Sequence, residues 1–229
     1  MSDLRYQALL PFLSQERQQK FEDVLHHRTR RLCLVLENVY QSRNASAVMR
    51  SCDGLGVQDV HLIENVNPWV FNRGVSKGTP TWLTLHRYRD QAATGQCIES
   101  LKSKGYRLAV TSPHVNGYEA HALPTDTAIA LIMGTEFKGV SDEFLAAADY
   151  HVYIPMVGFA ESLNISVAAG MIMGRILENI RKQPEEFWKL DGTEKEALRT
   201  EWAMKSVRKA PKLLRHLGID PETGLQLPK

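Results

Sequence analysis

Five short stretches of the chain are predominantly apolar and include β-branched residues: Leu32–Leu36, Val57–Ile63, Arg107–Thr111, Ala128–Met133 and His151–Ile154. Continuous runs of this kind predict strands covered on both faces, because a half-exposed strand alternates polar and apolar positions. Between them the apolar residues recur at helical spacing. Asn44–Leu55 carries Ala47, Val48 and Cys52 at that spacing and runs into Gly56, and Gln91–Lys104 stops in the same way before Gly105. Glycine just past the last turn terminates helices because it takes the left-handed conformation without a Cβ clash. Ser141–Ala148 opens with a capping serine and two acids suited to the positive end of a helix. Ser162–Lys182, ending before Pro184, is the longest predicted helix. Strands alternating with helices predict an α/β fold, a mostly parallel sheet flanked by helices.

That alternation divides the chain into an N-terminal helical extension (1–30), a central domain (31–182) and a basic C-terminal helical extension (183–229). In the extensions Arg5–Gln19 and Glu194–Leu217 are predicted helices, the second with a break near Pro211. A length of 229 residues suffices for one well-buried domain with short additions, and 43% hydrophobic with 24% charged residues is the makeup of a soluble globular protein. No apolar run is long enough to cross a bilayer, and the first residues lack the pattern of a secretory signal, so a cytoplasmic protein is expected. Cys33, Cys52 and Cys97 are odd in number, widely spaced and without a CxxC, which predicts reduced thiols and no metal site.

A net charge of +2 does not by itself announce a nucleic-acid binder. The distribution says more. Lys205, Arg208, Lys209, Lys212 and Arg215 fall in eleven residues without an acid, and Arg30 and Arg31 close a second basic cluster that begins at His26. Two readings stand: solvated helix faces, or phosphate contacts that position RNA without reading its sequence.

Three segments carry candidate chemistry, each where a predicted strand gives way to a helix or loop, the edge at which open parallel sheets bind ligands. In Asn38–Arg50, Asn44 sits at a predicted helix start with Arg50 nearly two turns on; taken alone this is equally a capped helix with a surface arginine. In Leu131–Gly139, Gly134 follows the strand and lets a ligand approach the backbone, with Glu136 at the exit; a tight turn explains the same residues. In Val152–Gly170 a strand ends at Ile154-Pro155-Met156, and Ser162-Leu163-Asn164 opens a helix of small residues suited to close packing. Neither GxxxxGK[ST] nor GxGxxG occurs here, which speaks against a P-loop or a dinucleotide-binding fold. Asn72–Thr79, ahead of Trp82, is a glycine-bearing basic loop in which Lys77 either meets phosphate or belongs to an ordinary connection.

Together, Asn44 with Arg50, Met-Gly-x-Glu at 133–136, and Ile-Pro-Met with Ser-Leu-Asn-x-Ser at 154–166 closely resemble the three motifs of the SpoU branch of the SPOUT methyltransferases. The short N-terminal helix and basic C-terminal tail look like the TrmH type of that family. The resemblance implies a deep C-terminal trefoil knot and a homodimer. It implies an S-adenosylmethionine-dependent enzyme that methylates a ribose 2'-hydroxyl of tRNA, at a D-loop guanosine. It further implies cofactor contacts at Thr111, Gly134, Ile154, Met156 and Leu163, and catalytic or supporting roles for Arg50, Asn44, Glu136, Ser162 and Asn164. Two alternatives stay open: the same chemistry on rRNA or another tRNA position, and a non-catalytic knotted RNA-binding module.

Overall fold

The computed structural model describes residues 3–39, 41–66, 78–112, 117–135 and 138–227. The chain divides into two compact units, one of Thr29–Trp188 and one of Met1–Arg28 together with Lys189–Lys229.

The first unit is built on seven strands: β1 (Leu32–Glu37), β2 (Asp59–Ile63), β3 (Thr84–Tyr88), β4 (Tyr106–Thr111), β5 (Tyr118–Glu119), β6 (Ala128–Met133) and β7 (Tyr150–Tyr153). They lie in the order β3-β2-β1-β6-β4-β7-β5, and each of these pairings is parallel. The central strands β1 and β6 are buried along their whole length, as their unbroken apolar sequences require. Side chains alternate between the two faces. Leu32, Leu34 and Leu36 join a core with Val48, Cys52, Ile172 and Ile176 of the Ser42–Leu55 and Ile165–Arg181 helices. Cys33 and Val35 meet Ala93, Cys97, Leu101 and Phe144 of the Ala93–Ser103 and Asp142–Ala147 helices on the other face.

Each of the five predicted strands is present, one of them, Ala128–Met133, at its predicted bounds and the others with ends shifted by one or two residues. β3 and β5 escape prediction because they form the two edges of the sheet, where polar residues are tolerated and β5 is only two residues long. Gly56 and Gly105 lie at φ +82 and +80, the left-handed turns their sequence positions imply. The first helix of this unit departs from expectation at its start. It begins at Ser42 with Gln41 as a cap residue lacking a side-chain bond, so Asn44 sits inside the first turn and is not its cap.

The sheet edge near β2 and β3 holds a buried polar network. Asp59 accepts hydrogen bonds from Arg30 Nε and His86 Nε2, each at 2.8 Å, and the rings of His61 and His86 stack with centroids 4.3 Å apart. Burial opposes ionisation of Asp59, but the His86 hydrogen bond and the Arg30 charge hold its carboxyl below the usual range. His61, 1% exposed, is pushed down to about 3, by burial first and then by His86. In the unfolded chain the same imidazole protonates near 6.5. The unfolded state therefore binds the extra proton between those values, and the stability tied to a neutral His61 is complete above about pH 6.5 and lost as pH falls toward 3. Urea unfolding at pH 6.5 and 4.5 is expected to give a shallower decline for His61→Phe than for the parent, by up to about 1.4 kcal/mol per pH unit. Equal slopes would remove this role from His61.

Cys97 lies on the far side of His61, and burial raises its thiol to about 12. Cys33, Cys52 and Cys97 are all buried, and none of the three forms a disulfide. Among the described residues no helix is long and apolar enough to cross a membrane, and no group of His, Cys, Asp and Glu has the makeup to hold a metal ion.

The second unit is helical. Leu4–Leu9, the 3-10 turn Leu10–Phe12 and Gln15–Leu25 come from the N-terminal segment, and Gly192–Ser206 and Ala210–His216 from the C-terminal one. The single predicted helix Arg5–Gln19 is interrupted at Pro11, which lacks the N–H that an α-helix needs there. The break expected near Pro211 falls at 207–209, where Lys209 takes a left-handed φ of 57, and Pro211 sits in the first turn of the next helix. The core holds Leu9, Leu25, Leu198, Leu214 and Trp202; Phe21 packs edge-on against Trp202 at 5.6 Å, and the guanidinium of buried Arg28 lies 5.6 Å from the same ring. Asp191 and Glu194 close a reciprocal capping box at the start of Gly192–Ser206.

Candidate active site

Because β6, β4 and β7 are neighbours and parallel, their carboxyl ends open side by side. A cavity of about 520 Å³ occupies that edge, bounded by Thr111 at the end of β4, Gly134 after β6, and Ile154 after β7. Met156 and Leu163 line it from the following loop, and Ile165, Ala168 and Ile172 from the Ile165–Arg181 helix. The five residues expected around the cofactor thus border one cavity, although they come from three separate stretches of sequence. Ser162 borders it too, together with Lys138 and Glu161, which sequence reasoning did not single out.

Local geometry explains why these residues stand where they do. Thr111 donates its hydroxyl to the Ile132 carbonyl at 3.0 Å, tying the exit of β4 to the end of β6. After Gly134 the chain folds back on itself: Thr135 and Gly139 exchange backbone hydrogen bonds at 2.9 and 3.0 Å, and the Thr135 hydroxyl accepts from Lys138 N at 3.0 Å. A Cβ on Gly134 would stand 2.0 Å from the Gly139 oxygen and 2.4 Å from Val140 N. The glycine is demanded by its own chain, a tighter requirement than ligand approach alone. Glu37, at the exit of β1, is 4% exposed and accepts from Ser141 N at 2.9 Å and from the Thr94 hydroxyl at 3.3 Å. It thereby anchors the segment that follows the Thr135–Gly139 turn. Sequence reasoning did not single out Glu37, although a carboxylate closing an otherwise apolar strand is a signal that could have found it.

The polar motif residues divide. The long helix starts at Ile165, later than expected, with Asn164 as its cap: Asn164 Oδ1 accepts from Ser166 N at 2.9 Å and from the Ser166 hydroxyl at 2.6 Å. Its Nδ2 reaches Asn44 Oδ1 at 3.4 Å, so the first and third motifs meet across 120 residues of chain. Ser162 remains in the exposed loop before the helix. Arg50 is exposed on the Ser42–Leu55 helix and does not line the cavity; among the described residues it forms no ion pair. Glu136 and Lys77 lie outside the described residues.

The residues expected to meet RNA also separate by environment. Arg30 is paired with Asp59. Arg31 donates to the Phe187 carbonyl and lies over the Phe187 ring at 4.4 Å, a contact that serves packing. Lys205 is paired with Glu201 one helical turn before it. Arg208, Lys209, Lys212 and Arg215 are exposed.

Three adjacent strand ends around a cavity of nucleotide size define an α/β protein that takes a small ligand at the carboxyl edge of its sheet. The chain belongs to the SpoU rRNA Methylase family, whose model matches residues 31–174. A tRNA (guanosine(18)-2'-O)-methyltransferase of Borreliella burgdorferi is 37% identical over 204 residues, which cover 89% of this chain and 92% of that protein. The protein of that name from Thermus thermophilus is 32% identical over 160 residues, covering 70% of this chain and 81% of the relative. Among solved structures, the A. aeolicus TrmH/SpoU tRNA modifying enzyme superimposes with a TM-score of 0.75 at 26% identity, over 85% of this chain and 98% of that one.

Proposed function

We propose that this protein uses S-adenosylmethionine to methylate the 2'-hydroxyl of a guanosine ribose in tRNA, the D-loop guanosine numbered 18 in the names of its relatives. The observation that carries this reading is the convergence of the second and third motif segments, at the ends of β6 and β7, with the end of β4 on one cavity, in a chain 37% identical to a protein of that name over nearly its full length. The residues present fit the cofactor. Backbone groups at Thr111 and Gly134 offer donors and acceptors to an adenine edge, and Ile154, Met156 and Leu163 supply apolar walls, in a volume of about 520 Å³. Bound S-adenosylmethionine supplies a methyl group already activated on a positive sulfur.

The chain must therefore orient the ribose and help its hydroxyl shed a proton. Asn164, fixed as a helix cap, and Asn44, its partner, hold the loop edge at which the ribose is received. Arg50 stays protonated at any ordinary pH and is unsuited to act as a base. In this reading it grips the phosphate beside the target ribose with both arms of its fork and stabilises the developing alkoxide, while the proton leaves to phosphate or water. The protein works as a homodimer in the cytoplasm, Arg50 of one subunit serving the cavity of the other. Supporting this are fully exposed Val157 and Phe159, just past cavity residue Met156, and exposed Val167 and Met171 one turn apart on the adjoining helix. A C-terminal trefoil knot belongs to the same reading and rests on the likeness to the family.

Incubation with methyl-labelled S-adenosylmethionine and separate tRNA and rRNA pools tests the reading. Label is expected in tRNA, at one guanosine, and not in a transcript carrying 2'-deoxyguanosine there. Label confined to rRNA, or retained by the deoxy substrate, would overturn it.

A further inference from the structure

The helical unit holds a second cavity, of about 890 Å³, outside the family's motif segments. Its lining combines Phe12 with Arg208, Lys209, Lys212, Arg215 and His216, and includes no acid. The four lysine and arginine side chains are exposed and, among the described residues, have no ion-pair partner, unlike Lys205 one turn earlier. Phe12 is 55% exposed although it ends a 3-10 turn flanked by buried Leu9 and Leu13. Lys209 holds a left-handed φ of 57, a conformation that disfavours residues with a side chain. Backbone strain of this kind persists where the surroundings impose it, commonly at binding surfaces.

Each feature alone has an ordinary explanation; the combination is selective. An apolar protein partner would have to strip water from four unpaired cations to reach Phe12. A ligand that is flat, aromatic and flanked by negative charge satisfies both parts at once. Unstacked nucleotides of an RNA loop have that chemistry: every base offers a π-face to an aromatic ring, and its phosphates meet a cationic groove.

We propose that this groove binds an unpaired nucleotide of the RNA substrate, the base stacked on Phe12 and its flanking phosphates held by Arg208, Lys209, Lys212 and Arg215. It rests on the tRNA reading above and adds to it a second contact point, remote in sequence from the methyl-transfer motifs.

The test measures tRNA affinity by anisotropy across salt concentrations, with S-adenosylmethionine affinity by calorimetry on the same samples. Phe12→Ala is expected to weaken tRNA binding about 5- to 150-fold at every salt concentration, and Phe12→Trp to retain it. Replacing the four cations with alanine is expected to reduce the slope of log affinity against log salt by about 3, at roughly 0.7 to 0.9 per phosphate contact. Cofactor affinity stays unchanged in all three variants. If Phe12→Ala binds tRNA as the parent does, or heparin competes equally well against both, the groove is a general polyanion surface and the stacking proposal fails. If the parent itself neither binds nor methylates tRNA, the substrate reading fails instead, and the two failures are told apart by the parent alone.

Discussion

Arg50→Ala is expected to slow methyl transfer by about 100- to 1000-fold in single turnover, the range seen when one preorganised charge-stabilising donor is removed. The affinity for S-adenosylmethionine should stay within about twofold, because Arg50 is exposed and borders no part of the cavity proposed to hold the cofactor. Arg50→Lys separates charge from shape. A lysine keeps the positive charge but offers a single compact ammonium in place of a planar fork, so at least about tenfold of the rate should still be lost. Single-turnover transfer to tRNA, with calorimetric titration of the cofactor, reads both quantities. A lysine variant with most of the parent rate would dismiss the bidentate phosphate role. A collapse of cofactor affinity would mean that Arg50 supports the fold.

Gly134→Ala is expected to abolish saturable cofactor binding at millimolar ligand and to lower the melting temperature. The added methyl would stand 2.0 Å from the Gly139 oxygen, 2.2 Å from its carbonyl carbon and 2.4 Å from Val140 N. All three are backbone atoms, and Glu37, which accepts from Ser141 N at 2.9 Å, pins the segment immediately after them. The turn cannot yield without breaking the Thr135–Gly139 hydrogen bonds. Overpacking of this kind costs about 1–3 kcal/mol, which corresponds to roughly 2–4 °C for each kcal/mol in a chain this long. A variant that melts like the parent and binds the cofactor normally would show that the turn is pliable and that Gly134 does not shape the cavity.

How far the sequence reveals this architecture depends on where each element sits in the sheet. β1 and β6 are legible because burial on both faces leaves a composition that little else produces. β3, with His86 and Arg87 among five residues, lies on an edge where water meets one side, so its pattern resembles a polar connection. The residues proposed to hold the cofactor are recognisable as a set only through family likeness; nothing local to Thr111 says that it will line the same cavity as Gly134. Asn44 illustrates the limit. Its position near a helix start suggests a cap, but the residue that engages it, Asn164, is 120 positions away and becomes its neighbour only when the two helices pack. The reverse holds for Lys205, whose pairing with Glu201 follows from a spacing of four on a helix and was readable in advance. Arg30 is intermediate: its charge is plain in the sequence, but its commitment to Asp59 depends on strand placement.

The helical unit is assembled from two stretches of chain separated by Thr29–Trp188. During translation the ribosome releases Met1–Arg28 first, and the segment carrying Trp202, against which Phe21 is to pack, is not yet made. At roughly 5–20 residues per second the delay is on the order of 10 to 30 s. Throughout that interval Leu9, Phe21 and Leu25, buried in the folded unit, lack the carboxy-terminal helices that complete their core. The groove lined by Phe12 and the Arg208–His216 segment also stays unbuilt until that segment emerges.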